Sequence, residues 1–171
     1  ASAFDFIIGS CHIVDNMDPY YTDFWKNRQD RDAFELYFKT LLEGLLEFSQ
    51  IDTLGHLDYV VRYSPNRDSN YSPRDYQDVI DEILKFIIEK EIKLEINTSN
   101  LSKGFDFFNP HTDIIKRYKE LGGEIITVGS DAHYTEYLAD HIDFAYDLLK
   151  KAGFDYVCTF REKKPIFNKL P

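Results

Sequence analysis

Short apolar runs alternate along the chain with stretches whose apolar positions recur every three or four residues. Phe4–Ile13 (FDFIIGSCHI) opens β-rich and closes on GSCH. Across Asp30–Ile51, Phe34, Tyr37, Phe38, Leu41, Leu42, Leu45 and Leu46 follow the i, i+3, i+4, i+7 spacing of one helix face. Asp30 is placed to cap that helix, because a carboxylate accepts from the orphan N–H groups of a first turn. Leu54–Val61 (LGHLDYVV) predicts a second strand. Ser72-Pro73-Arg74-Asp75 then supplies a cap, a proline at the first helical position and a first-turn carboxylate. Tyr76, Val79, Ile80, Ile83, Leu84 and Ile87 carry the resulting helix towards Lys90. Lys93–Ser99 (KLEINTS) predicts a third strand, and Asn109-Pro110 another helix start of cap and proline. That helix ends at Gly122-Gly123, where a left-handed turn suits glycine. Glu124–Gly129 predicts a fourth strand running into SDAH, Thr135 caps a last helix stopping near Gly153, and Tyr156–Phe160 predicts a fifth strand.

The order is β-α-β-α-β-α-β-α-β, and each helix returns the chain to begin another strand in the same direction. The expected fold class is therefore α/β, with about five parallel strands covered by about four helices. A closed (β/α)8 barrel typically takes about 250 residues, so the 171 residues here are too few to close one alone. One domain over 1–171 is expected. With 43% hydrophobic residues, 14 Phe and 12 Tyr among them, a sizeable core is available.

Charge narrows the partners. Thirty Asp and Glu against 20 Lys and Arg leave −10, which argues against nucleic-acid binding through a basic face. The apolar runs fall well short of the roughly 20 residues that span a bilayer, and no basic-then-apolar leader opens the chain. Cys11 and Cys158 make neither a disulfide framework nor a CxxC site. The expectation is a soluble, acidic, cytoplasmic protein with no membrane and no nucleic-acid partner.

Candidate chemistry gathers at predicted strand ends. His12 closes the first strand in GSCH, His56 and Asp58 lie in GHLD, and Asp131 and His133 follow the fourth strand in SDAH. Open α/β sheets and βα barrels both build sites at strand carboxyl ends. Residues two apart in an extended segment face one side, so His56 with Asp58, and Asp131 with His133, are each expected to present a pair. Imidazole nitrogen with carboxylate oxygen suits Zn²⁺, Mn²⁺ or Fe²⁺ better than Ca²⁺. Singly, each has a plain structural reading: a strand-end His is ordinarily a hydrogen-bonded structural residue, and His56 can simply bond Asp58. His111 in NPHTD and His141 beside Asp140 read as surface residues.

Taken in order, GSCH, GHLD and SDAH, with FDFIIGSCHIVD, GHLDYVVRY, EINTSNLSKG, ITVGSDAH and FREKKP around them, resemble the polymerase-and-histidinol-phosphatase (PHP) superfamily, in its histidinol-phosphatase branch. The resemblance implies a distorted (β/α)7 barrel, two or three divalent metal ions (Zn, Mn or Fe), and hydrolysis of histidinol phosphate in histidine biosynthesis. It implies metal ligation by His12, His56, Asp131 and His133, with Asp131 and His133 catalytic. The family begins with an HxH strand, another His and a bridging Glu, all ahead of the segment matched by Phe4 onward. Only Ala1, Ser2 and Ala3 precede that segment here. The expectation is a partial barrel, the carboxyl-terminal portion of the PHP fold, lacking roughly the first three βα units. The alternatives are a metal-binding or assembly module without turnover, and a PHP nuclease or polymerase-associated phosphoesterase.

In this frame Arg62, following GHLDYVV, is the candidate grip on a small phosphorylated substrate, because its planar fork matches two phosphate oxygens. Relatives often carry Gly-Leu-Arg where this chain has Asn100-Leu101-Ser102, and Lys103 stands next as a substitute cation; Arg161 is a weaker one. Cys11 reads as core. Tyr20, Tyr21, Phe24 and Trp25 in the Val14–Gln29 loop read as packing first and as a substrate cover second. An incomplete barrel leaves sheet edges and apolar surface open, so a homodimer or larger assembly is expected.

Overall fold

In the computed structural model, which describes residues 4–171, four short strands form one parallel sheet. They are Ile8–Gly9 (β1), Thr53–Leu54 (β2), Lys93–Asn97 (β3) and Ile126–Gly129 (β4), in the order β1-β2-β3-β4. The first three positions of the predicted 1–171 domain lie outside the described residues. Register sorts the faces. Leu54 pairs with Leu94, Leu94 with Ile126 and Ile96 with Val128, while Glu95 pairs with Thr127 and Asn97 with Gly129. Alternation at period two therefore gives β3 one apolar face, Leu94 and Ile96, and one polar face, Glu95 and Asn97. On the polar face the Thr53 and Thr127 hydroxyls meet at 3.0 Å.

The apolar stripes of the long helices face the core except at Leu46, which the sequence placed on the stripe and which is exposed. Asp30–Glu47 (α2, after the one-turn Thr22–Trp25, α1) buries Phe34, Tyr37, Phe38, Leu41 and Leu45. Gln77–Glu89 (α3) buries Ile80, Ile83, Leu84 and Ile87, packs on β3, and lies against α2 and Thr112–Glu120 (α5). Ser99–Ser102 (α4) is a single turn after β3, and Ile142–Lys151 (α6) packs on β4. Gly122 and Gly153 end their helices at φ +97 and +84, as the sequence predicts.

Helix starts differ in detail. Gln29, not Asp30, is the N-cap of α2; the Asp30 carboxylate instead accepts from Asn66 and Asn70, each at 2.9 Å, pinning the following loop. Asn109 does not cap α5, because its side chain is engaged with Arg62 and Asp58. His111 caps it, Nδ1 accepting from the Asp113 N–H at 3.1 Å. His111 also packs on Phe107, so it is not the surface residue expected. Thr135 opens only a 3-10 turn to Tyr137, and α6 begins after a left-handed His141.

Two strand predictions shrink and one changes partner. Phe4–Ile13 pairs only at Ile8–Gly9, and Leu54–Val61 leaves the sheet after Leu54 and re-forms as a 3-10 helix at Tyr59–Tyr63. The parallel sheet has four strands rather than five among the described residues. Tyr156–Arg161 (β5) pairs antiparallel with Lys164–Lys169 (β6) in a separate hairpin beside β4. Glu162 and Lys163 make its two-residue turn, both at positive φ (50 and 62), the twist that a tight hairpin requires. No helix among the described residues is long and apolar enough to cross a membrane.

Arg117 of α5 clamps Asp81 of α3 through two bonds, Nε to Oδ1 at 2.8 Å and Nη2 to Oδ2 at 2.6 Å. The guanidinium holds the Asp81 carboxyl below its ordinary value. The stabilisation is therefore full above the unfolded value of about 3.9 and is lost as pH falls through the lower folded one. Asp81→Asn should cost about 1–3 kcal/mol at pH 7, and urea melts of wild type and variant should converge as pH drops below about 3.9.

Candidate active site

All four strand carboxyl ends open into one cavity of about 790 Å³. Ser10 and His12 follow β1, His56 follows β2, Glu95, Asn97 and Ser99 come from β3 and its end, and Gly129, Ser130, Asp131 and His133 from the end of β4. Arg62, Tyr63 and Lys103 complete the inner wall, with Asp18, Tyr20, Tyr134 and Tyr137 also lining the cavity. Of the residues singled out from the sequence, His12, His56, Arg62, Asp131 and His133 therefore line a single space, and Asp58 does not.

His56 is set by its backbone. Immediately after Gly55 it adopts φ +23, which ends the strand, and its N–H donates to Glu95 Oε2 at 3.1 Å. The side chain is 7% exposed, stands 4.9 Å between ring centroids from His12 and 4.9 Å from Tyr59, and its buried Nδ1 has no hydrogen-bond partner. Burial first, then His12 and Arg62, push its pKa down to about 4. The ring is thus neutral at physiological pH, with a lone pair to give.

Asp58 does not share that direction. The chain is no longer extended at His56, so the period-two pairing of His56 with Asp58 fails. Asp58 is buried among other partners, accepting from Asn109 Nδ2 at 2.6 Å, the His111 N–H at 2.7 Å and the Tyr71 hydroxyl at 3.2 Å.

Arg62 is 8% exposed and largely committed. Its Nε donates to Asn100 Oδ1 at 2.8 Å, and its Nη2 to Ser99 Oγ and Asn109 Oδ1, both at 2.7 Å. Nη1 faces Asp131 Oδ2 at 3.6 Å. The two-pronged phosphate grip expected from the sequence is therefore reduced to one nitrogen, since the other edge of the guanidinium holds the wall together. Asp131, at φ +49, has Oδ1 3.9 Å from His133 Nδ1, and that nitrogen lies 2.9 Å from the Asp131 carbonyl oxygen. A carbonyl can only accept, so Nδ1 is the donor in this contact. The His133 side chain is 75% exposed.

Glu95 was not singled out by sequence reasoning. It is 6% exposed, and burial, the largest cause, raises its pKa to about 7. Its signal was present: an acid between Leu94 and Ile96 in KLEINTS sits on the face opposite two core residues. Lys103 lines the cavity, and burial followed by Arg62 lowers its pKa. Ser102 donates to Asp140 at 2.6 Å. Phe24 and Trp25 join the core, as the packing reading expects, and Tyr20 lines the cavity. Cys11 packs against the core, its thiol pushed up to about 11 by burial.

Imidazole nitrogens, the buried unpartnered Nδ1 of His56 among them, and a carboxylate are a donor set suited to a first-row divalent ion. Among the described residues no three His, Cys, Asp or Glu side chains close around one point, so the wall offers donors singly and in pairs.

A parallel α/β sheet with this wall at its strand ends matches a known class. A family model for the PHP domain covers residues 1–99, and the chain belongs to that family. It is 42% identical, over 78% of its length, to a probable histidinol-phosphatase of Clostridium acetobutylicum, and 34% identical, over 99%, to the histidinol-phosphatase of Lactococcus lactis. A probable histidinol-phosphatase of Thermotoga maritima is 33% identical over 94% of the chain. The matches span 52%, 63% and 61% of those proteins, so the chain corresponds to between half and two thirds of their length. The crystal structure of the Lactococcus lactis histidinol phosphate phosphatase, complexed with zinc, L-histidinol and phosphate, superposes with a TM-score of 0.82 at 31% identity. It covers 97% of this chain and 63% of that one.

In the metal-free chain, NMR should show the His56 ring resonances unmoved from pH 8 to 5, protonating only near pH 4. Because the unfolded imidazole titrates near 6.5, stability should fall as pH drops from 6.5 to about 4.

Proposed function

We propose that this chain carries a metal-dependent phosphomonoesterase site of histidinol-phosphatase type, acting on histidinol phosphate to give histidinol and phosphate. The observation that carries the reading is the meeting of His12, His56, Asp131, His133 and Arg62 in one cavity at the strand ends. The sheet belongs in this reading to a distorted (β/α)7 barrel. The substrate is a small molecule rather than a nucleic acid, and the unpaired cysteines suit the cytoplasm.

His12, His56, Asp131 and His133 would hold the divalent ions, two or three of Zn, Mn or Fe. Such ions supply Lewis acidity and a water that ionises near neutral pH. His56 contributes a neutral nitrogen because burial keeps it unprotonated. Arg62 offers Nη1 to one phosphate oxygen from a fixed position, and Lys103 adds a second positive group on the same wall. Asp131, beside Arg62, accepts the proton of the attacking water, and His133 is oriented by the Asp131 carbonyl. Tyr20 and Tyr63, 5.2 Å apart between centroids, offer ring surface to an imidazole-bearing leaving group.

A second reading is favoured by the donors' not closing around one point: the chain holds metal without turning over substrate. Assembly enters both. Phe4, Ile8 and Ile13 are exposed beside the β1 edge, an arrangement that favours a homodimer or larger oligomer, and light scattering should return more than the monomer mass.

The decisive assay is phosphate release from histidinol phosphate with added Mn²⁺, Zn²⁺ or Fe²⁺. Activity should vanish with a chelator, fall about 10²–10⁴-fold in Asp131→Asn, and fall about 10–100-fold in kcat/KM in Arg62→Ala, as for a lost charged hydrogen bond. Metal uptake without phosphate release would select the second reading.

A further inference from the structure

Glu95 stands where the elements carrying the other site residues meet. It lies on β3, the strand between β2 and β4, and its side chain is on the sheet's polar face. Oε2 receives the His56 N–H at 3.1 Å. Gly129 makes room for the carboxylate, since a Cβ there would stand 3.0 Å from Oε1; a Cβ at Gly55 would meet Ile8 Cγ2 and Ser10 Oγ at 2.8 Å and Oε2 at 3.2 Å. Those glycines open the two turns that lead to His56 and to Asp131, both of which hold positive φ. Asn97, two residues along β3 and on the same face, favours the ionised Glu95 carboxylate. Asn97 Oδ1 in turn accepts from the Ser99 N–H at 3.1 Å and from Ser99 Oγ at 2.6 Å, and Ser99 Oγ accepts from Arg62 Nη2 at 2.7 Å.

We propose that Glu95 is the positioning residue of this cavity, its carboxylate fixing at once the turn that presents His56 and the approach of the strand that leads to Asp131. The role rests on the phosphatase reading only for what those two residues then do. An orphan N–H at a strained residue needs an acceptor to hold it in place. Glu95 is the acceptor, reaching across from the neighbouring strand. Without it His56 is free to leave a conformation that non-glycine residues rarely adopt.

The test compares Glu95→Gln, which keeps an acceptor oxygen, with Glu95→Ala, which removes it, in the full chain. Amide hydrogen exchange at His56 should match wild type in Glu95→Gln and quicken about tenfold in Glu95→Ala, as for one hydrogen bond lost. Zinc affinity, with zinc alone as the probe, should hold within about threefold in the first and drop about tenfold or more in the second. Should Glu95→Ala fold poorly, Gly129→Ala keeps the carboxylate but crowds Oε1, and should move the His56 amide resonance across the sheet. Unchanged exchange at His56 in Glu95→Ala overturns the proposal, as does a Gln variant as impaired as the Ala one, which would make charge rather than acceptor geometry the working feature. Zinc uptake by the wild-type chain tests the metal reading separately, because exchange at His56 reports on Glu95 whether or not zinc binds.

Discussion

A guanidinium taken out of water must have its donors met, and the wall of this cavity is organised around that requirement. Arg62 and Asp58 are both buried, and Asn109 stands between them, accepting from Arg62 through Oδ1 and donating to Asp58 through Nδ2. An unpaired buried charge costs several kcal/mol, so neither residue is tolerable alone. Asp58 also gathers the His111 N–H and the Tyr71 hydroxyl, while Arg62 gathers Asn100 and Ser99. One network thereby ties the 3-10 helix after β2 to the turn after β3, to the start of α5 and to the loop before α3. Burial leaves these groups no alternative partners, and that fixes this wall of the cavity.

The same requirement explains where sequence reasoning succeeded and where it stopped. Helix stripes are local: Ile80, Ile83, Leu84 and Ile87 declare one face of α3 whatever surrounds it, and the glycine ends at 122 and 153 follow from backbone sterics alone. Strand ends bearing His12, His56, Asp131 and His133 were legible because the βα order fixes which end of a parallel sheet collects its loops. Asn109 was misread as a cap because a cap is the local use of an asparagine, and nothing local announces a buried arginine 47 residues earlier. His56 and Asp58 were paired by an alternation that ends once His56 takes a positive φ. The hairpin of β5 and β6 escaped because Glu162-Lys163 lacks the glycine or asparagine that usually signals such a turn. Glu95 escaped because an acid in a strand is ordinarily solvated, and only its strand neighbours reveal that this one is enclosed.

Charge at the site adds a further constraint. The chain is acidic overall, and Asp18, Glu95 and Asp131 face the cavity with only Arg62 and Lys103 as fixed cations. His56 adds no charge, since burial keeps its ring neutral. A dianionic phosphate entering that balance meets about as much repulsion as attraction, and Arg62 has one nitrogen left to offer it. The donor groups make sense of the arrangement: neutral imidazoles and a carboxylate are what a divalent cation binds, and a bound cation becomes the largest local charge and reverses the balance for an anionic ligand. The wall's polarity is thus poorly matched to phosphate alone and well matched to phosphate together with metal. This supports the metal-dependent reading proposed above over one that grips phosphate by arginine and lysine only, and in that reading Arg62 orients the ligand from a fixed position.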